Sequence, residues 1–308
     1  MYTPFFSVII PTYNQSNFLK KALDSVFNQT FKNFEIIVID NHSNDGTSDI
    51  LKRYKKKIIY KKIKNRGILA KSRNYGIKIA KGKWIAFLDS DDYWGHNKLN
   101  IIKKLIQNSS FDVVCHSEWI LYSEKKKLNL WSYGPYKRNF YKILLKHGNK
   151  FSTSASVVRK SFLDKNNILF DKKKESVSSE DYSFFMKTAQ NNANFLFIKR
   201  PLGYHLFHKK SVSSNMSKHF KSQESVIRHH IFNIQKFTKD KKKLWLEAKI
   251  FLDLRIIFFN LQSKKKAKFK NLFNFFMNKP LYFIWYIKNL LIKKLKDFLI
   301  YLFYKSEF

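Results

Sequence analysis

The chain has 308 residues, of which 44% are hydrophobic, and a formal net charge of +38. That is apolar material for a sizeable core, in one large domain or a domain with an appendage. A single cysteine, Cys115, excludes an internal disulfide and a cysteine metal cluster and fits a reducing compartment. The charge suits three partners: nucleic acid, an anionic membrane surface, or phosphate-bearing substrates. A compositional bias toward Lys, Asn, Ile and Phe explains much of it as well. With no zinc-finger or RNA-recognition signature, no specific nucleic-acid partner is expected. No run reaches about 20 uncharged apolar residues, so no spanning helix is expected. The apolar run Phe5–Ile10 lacks a basic flank and stops at Pro11, which argues against a secretion signal.

In chain order, Phe5–Ile10 reads as a buried strand and Pro11–Asn14 as the turn after it. Ser16 is the expected N-cap of a helix to about Gln29, with Phe18, Ala22 and Val26 on one face. Phe34–Ile39 is a second apolar strand ending at Asp40, followed by the polar loop Asn41–Gly46. Thr47 or Ser48 is expected to cap a helix to about Lys56, before a short strand at Ile58–Tyr60. Ile68–Ala80 reads as a helix, and Trp84–Leu88 as a strand buried on both faces. Strand and helix alternate, so the sheet is expected to be mainly parallel with right-handed crossovers.

Three carboxylates, Asp89, Asp91 and Asp92, follow that last strand within four positions. Carboxylates are not buried unpaired, so they are expected where the strand leaves the sheet, the edge at which α/β folds bind ligands. Asp89 and Asp91, two apart across a turn, can face one point and suit Mg²⁺ or Mn²⁺. The plainer reading is an acidic turn capping a helix near His96. No Gly-x-Gly-x-x-Gly or Walker A loop follows any strand, which disfavours a dinucleotide dehydrogenase or a P-loop enzyme. Instead, Thr12 and Tyr13, then Asp40, then Asp89 and Asp91 offer polar groups for a base, a ribose and a metal-bound diphosphate.

Four motifs carry a resemblance. Ser7–Asn14, then Ile39-Asp40 with Ser43–Thr47, then Arg73–Gly76, then Phe87–Asp92 resemble family 2 glycosyltransferases of GT-A fold, over roughly residues 5–215. The resemblance implies transfer of a sugar from a nucleotide diphosphate donor, usually UDP-linked, with inversion at the anomeric carbon. It implies that Asp40 binds the base or ribose with Pro11, Thr12 and Tyr13 beside it. Arg73 lines the nucleotide, Asp89 and Ser90 meet the donor, and Asp91 with Asp89 holds a divalent metal. Asn41 and His96 depart from the family pattern, where Asp and Pro are common. The Gln-x-x-Arg-Trp motif of processive synthases is absent, so repeated chain extension is not expected.

Further along, Lys98–Gln107 is amphipathic, Phe111–Leu121 and Lys127–Trp131 read as strands, and Ser152–Arg159 resembles the segment before the acceptor site. Ser179–Tyr182 opens a helix with Phe184, Phe185 and Ala189 on its buried side. Glu180-Asp181 resembles the family's Glu-Asp pair, whose Asp is the catalytic base. An acceptor hydroxyl must lose a proton as it attacks, and a carboxylate within hydrogen-bond reach takes it. The alternative is that both acids only favour the helix N-terminus. The loop Tyr204–Ser213 resembles one that folds over the diphosphate, with His208, Lys209 or Lys210 meeting charge. Past Met216 the chain is helical, aromatic and Lys-rich. In Leu281–Tyr304, Ile284, Ile287, Leu291, Leu295, Phe298 and Leu302 form an apolar stripe. It fits a membrane interface or packing on the catalytic domain equally well.

The expected protein is an α/β GT-A enzyme with a mainly parallel central sheet flanked by helices. Residues 1–215 form its catalytic domain and residues 216–308 a helical, basic appendage, with membrane contact as one role for it. The expected function is metal-dependent (Mn²⁺ or Mg²⁺), non-processive, inverting hexosyl transfer from a UDP-sugar. The acceptor is a glycan or a lipid-linked glycan of surface polysaccharide, lipooligosaccharide or glycoprotein synthesis. The expected location is cytoplasmic, peripheral on the inner face of a bacterial inner membrane. Nucleotidyl transfer is disfavoured, because Pro11–Asn14 stands where a Gly-rich basic loop belongs. A non-catalytic protein binding nucleic acid or anionic lipid by charge leaves the strand-end acids idle.

Overall fold

The computed structural model describes residues 3–122, 127–135, 137–208, 211, 215–262 and 275–304. Lys209 and Lys210, expected near the diphosphate, lie outside the described residues. The centre of the fold is β1 (Phe6–Thr12), paired in parallel with β2 (Phe34–Asp40) on one side and β4 (Trp84–Phe87) on the other. β3 (Ile59–Lys62) extends the sheet in parallel from β2. Three helices, α1 (Ser16–Phe27), α2 (Thr47–Arg53) and α3 (Leu69–Ile79), make the connections. Alternating side chains of β1 enter different cores. Ile9 joins Ile37, Ile39 and Phe87 on one face, while Val8 and Ile10 join Leu19 and Leu23 of α1 on the other. Burial on both faces is why these strands read as unbroken apolar runs. Each such side chain contributes about 1.5–3 kcal/mol by leaving water.

Beyond β4 the sheet turns mixed. β5 (Tyr93–Trp94) and α4 (Lys98–Ile106) precede β6 (Val113–Tyr122) and β7 (Lys127–Trp131). α5 (Phe140–His147), β8 (Ser156–Arg159), α6 (Lys160–Lys165), α7 (Glu180–Gln190) and β9 (Phe195–Phe207) follow. The strand order is β3-β2-β1-β4-β8-β6-β9-β5, with β7 on β6, and β8 runs antiparallel to both β4 and β6. β9 runs parallel to β6 with its register shifted around His116–Glu118, opposite Pro201. A bulge there suits proline, which has no N–H for the ladder, and re-aims the strand end that carries His205.

Among the described residues beyond β9 are α8 (Met216–His229), α9 (Lys241–Gln262) and α10 (Pro280–Tyr304). Val226, Ile227, Leu244 and Ala248 belong to the same core as Ile9 and Phe87, so α8 and α9 pack on the sheet's own core. Among the described residues, no helix is long and apolar enough to cross a membrane.

The expected helix caps are corrected by one feature. Ser16 and Thr47 are first helical residues, after Gln15 and Gly46. Asp45 serves both starts instead, accepting from the Ser16 N–H at 2.8 Å, the Thr47 N–H at 3.2 Å and the Thr47 hydroxyl at 2.6 Å. Gly46 adopts φ +86°, a left-handed turn that favours glycine. Phe18 is not on the buried face of α1, which consists of Leu19, Ala22, Leu23 and Val26.

Candidate active site

The parallel strands bring their carboxyl ends to one edge, with Thr12 directly opposite Asp40. The two loops beyond them are knitted together. The Asn14 N–H donates to Ser43 Oγ at 2.9 Å, and the Asn44 N–H donates to Asn14 Oδ1 at 2.9 Å. Asp40 is fully buried. Its Oδ1 accepts from the Ser43 N–H at 2.9 Å and the Ser43 hydroxyl at 2.6 Å, and its Oδ2 from the Tyr60 hydroxyl at 2.9 Å. A carboxylate offers about four acceptor positions, so about one remains. Thr12 Oγ1 beside it is buried and has no hydrogen-bond partner among the described residues. An orphaned hydroxyl next to a carboxylate is a place for a ligand's polar group. Pro11, expected in the turn, is buried within the last residues of β1, whereas Tyr13 just beyond the strand is 55% exposed.

Arg73 projects from α3 into the interior. One guanidinium nitrogen meets Asp89 Oδ1 at 2.7 Å and another meets Glu180 Oε1 at 2.9 Å. The guanidinium also sits 5.3 Å from the centre of the Phe170 ring. Burial opposes the Arg73 charge, but Asp89 and Glu180 more than offset it and hold the group protonated. Through this bridge the end of β4 and the start of α7 become one unit. Asp181, next to Glu180, lies near enough to feel both Arg73 and Asp89. Burial raises its carboxyl above the usual range, with Arg73 pulling the other way. Asn149 Nδ2 donates to Asp181 Oδ2 at 3.1 Å and orients it.

Asp89 and Asp91 meet different partners. Asp89 turns to Arg73, while Asp91 Oδ2 lies 3.0 Å from His208 Nε2. The His208 ring is stacked on Phe18 at 4.7 Å, which fixes its direction. Among the described residues no three His, Cys, Asp or Glu side chains converge as a metal cage. Asp91 and His208 still form a convergent oxygen–nitrogen pair. Such a pair fits a divalent ion that takes its other ligands from a diphosphate, and imidazole favours Mn²⁺ over Mg²⁺. Asp92 has a structural task. It accepts from the Ser154 hydroxyl at 2.5 Å and the Leu206 N–H at 2.9 Å, and meets His205 Nδ1 at 3.2 Å. Ser154 Oγ in turn accepts from the Asp89 N–H at 3.0 Å. The acidic turn is thereby fastened to the segment before β8 and to the end of β9. Ser90 is buried within it.

Glu180 as the Arg73 partner, His208 as the Asp91 partner, and the fastening of Asp92 were not assigned from sequence. These partners are 107, 117 and 114 residues apart, and no local spacing signals such contacts.

Comparison with known proteins places the chain in a family. The profile of the family described as Glycosyl transferase family 2 matches residues 7–165. The chain belongs to glycosyl transferase family 2. An uncharacterised glycosyltransferase of Methanocaldococcus jannaschii is 33% identical over 205 residues, which is 64% of this chain and 68% of that protein. The poly(ribitol-phosphate) beta-N-acetylglucosaminyltransferase TarP of Staphylococcus aureus is 32% identical over 216 residues, covering 68% of this chain and 64% of TarP. An uncharacterised glycosyltransferase of Rickettsia bellii is 44% identical over 123 residues, 39% of this chain. The chain spans about a fifth of the length of the relatives from Rickettsia bellii (18%) and Rickettsia felis (20%). Among solved structures, S. aureus TarS in complex with UDP-GlcNAc superposes with a TM-score of 0.60 at 23% identity, covering 80% of this chain and 72% of that one. A mannosyltransferase of Pyrobaculum calidifontis, solved with GDP-Man and Mn²⁺, gives 0.56 at 18% identity over 97% of this chain and 88% of that one. The fold expected from the four motifs, a GT-A-type sheet with flanking helices and a helical C-terminal region, is the fold observed.

Proposed function

We propose that this family 2 glycosyltransferase moves a hexose from a UDP-sugar to a hydroxyl of a glycan or lipid-linked acceptor, with inversion and without processive extension. The observation that carries the reading is the Arg73 bridge. It joins the acids at the end of β4 to the start of α7, so a donor-side carboxylate and the neighbour of the candidate base hold one buried guanidinium. In this reading Thr12 and the remaining acceptor position of Asp40 take polar groups of the base or ribose, with Pro11 and Tyr13 forming the wall. Arg73 and Asp89 shape the diphosphate end, with Ser90 beside them. Asp91 and His208 are the side chains that would hold a divalent ion. Bound there, such an ion supplies Lewis-acid stabilisation of the departing diphosphate. Asp181 accepts the proton of the acceptor hydroxyl as that oxygen attacks C1 from the face opposite the leaving group. A carboxyl raised by burial is better matched to that task near neutral pH than an exposed one.

Residues 1–215 form the catalytic unit in this reading and residues 216–308 its helical extension. The work belongs to surface polysaccharide, lipooligosaccharide or glycoprotein glycan synthesis, at the cytoplasmic face of the inner membrane with peripheral contact. A panel of nucleotide sugars tests the function, read as slow hydrolysis and thermal protection with and without Mn²⁺. Hydrolysis of a UDP-sugar that needs metal and disappears in Asp91→Ala supports it. Undiminished turnover in excess chelator contradicts it.

A further inference from the structure

The apolar stripe of α10 faces outward. Leu291, Leu295, Phe298 and Leu302 are 52–61% exposed, and Leu281 and Phe303 reach 80% and 73%. The opposite side of the helix is occupied. Tyr282, Phe283 and Tyr286 pack with Phe251 and Leu254 of α9, Tyr301 meets Trp119, and Asp297 accepts a hydrogen bond from the Ser132 N–H at 3.3 Å. The helix is therefore seated on the body by one face and presents another, continuous apolar face to solvent. Soluble monomers rarely leave so many large apolar side chains together on the surface.

Charge decides what covers it. Lys279, Lys288, Lys293, Lys294 and Lys296 lie on or beside α10. Its one carboxylate, Asp297, is turned inward and paired with Lys293 at 2.6 Å. At about 100° per residue, Lys294 and Lys296 fall on either side of the apolar arc. Lys288 lies within it, where a long stem can lie along apolar surface while its ammonium reaches water. A second copy of the chain would bring the same cations against these, on molecules that each carry +38. An anionic bilayer offers apolar depth and opposite charge together.

We propose that α10 lies in the headgroup region of an anionic membrane, its Leu291–Leu302 face in the acyl boundary and its lysines at the lipid phosphates. This rests on the peripheral placement proposed above and names the surface and the lipid class. α10 is also anchored beside the site. Ser132 follows Trp131, whose ring stacks on His205, and His205 meets Asp92. The bilayer would thus lie on the β7 and β9 side of the candidate site, where a lipid-linked acceptor would arrive.

The test is sedimentation of the full chain with phosphatidylcholine vesicles, with and without phosphatidylglycerol. The expected result is binding to the anionic vesicles that high salt weakens but does not abolish, because salt screens charge and not apolar burial. Leu295→Glu with Phe298→Glu, both exposed, should keep the wild-type melting temperature and lower partitioning at least tenfold. Lys294→Glu with Lys296→Glu should remove the preference for anionic lipid. A chain that stays in solution with both vesicle types overturns the proposal. So does a lipid-free dimer broken by the Leu295 and Phe298 substitutions, which would make the face a copy–copy interface. Vesicle binding is read without sugar donor. An enzyme that hydrolyses a UDP-sugar but ignores vesicles therefore refutes the docking alone.

Discussion

Arg73→Leu is the perturbation from which most follows. The guanidinium holds two carboxylates at 2.7 and 2.9 Å, and both side chains lose their partner when it is removed. They do not suffer equally. The Asp89 side chain is 29% exposed and can recruit water, whereas that of Glu180 is 8% exposed and cannot. Breaking a buried ion pair from one side typically costs about 3–5 kcal/mol, and most of that should fall on Glu180. Against a total stability of about 5–15 kcal/mol, the variant should be folded but markedly weakened. Glu180→Gln in the Arg73→Leu background removes the stranded charge and keeps the shape. The double variant should then be at least about 1 kcal/mol more stable than the sum of the single effects predicts. Urea denaturation with an unchanged slope is the assay. If Arg73→Leu costs less than about 1 kcal/mol, or if the two substitutions simply add, the bridge does not join β4 to α7 energetically and the reasoning fails.

Two further predictions concern the frame. A Cβ at Gly76 would lie 2.6 Å from Ile9 Cγ2, so Gly76→Ala should cost about 1–3 kcal/mol by pushing α3 off β1, measured by the same denaturation. Burial pushes the His230 imidazole down to about 3, against about 6.5 when unfolded, and its nitrogens meet the Tyr141 and Ser183 hydroxyls. The unfolded chain therefore binds the extra proton. The His230 contribution is complete above pH 6.5 and lost as pH falls toward 3. Between pH 7.5 and 5.5 it should cost on the order of 1 kcal/mol, which a His230→Gln variant would not lose. Equal acid sensitivity of the two proteins would refute this.

The parallel half of the fold was legible because β1, β2 and β4 are buried on both faces and end in polar turns. Trp84–Phe87 followed by Asp89 is the clearest case, and the expected strands and helices recur within a few residues. The four motifs also carry structural meaning. Asp45 ties two helix starts, Gly46 supplies a left-handed turn, and Gly76 lets α3 approach β1. What could not be read is pairing across the chain. Asp89 and Asp91, two apart in the motif, go to different partners because Arg73 and His208 arrive from distant elements. The sequence pattern of Leu281–Tyr304 likewise located the stripe but not its direction. Both faces of that helix are apolar, and only packing against Phe251 and Ser132 decides which one is left outside.

Nucleotide affinity and turnover of Asp181→Asn, measured on one preparation with Mn²⁺ present, test the central claim most directly. Asparagine keeps the shape and the contact with Asn149 but cannot take a proton. UDP affinity by calorimetry should be unchanged, while transfer falls about 10²–10⁴-fold. The wild-type rate should rise with pH through a midpoint above the ordinary carboxylate range, because the base must first lose its own proton. Loss of UDP affinity together with activity, or turnover that survives the substitution, would contradict a base at Asp181.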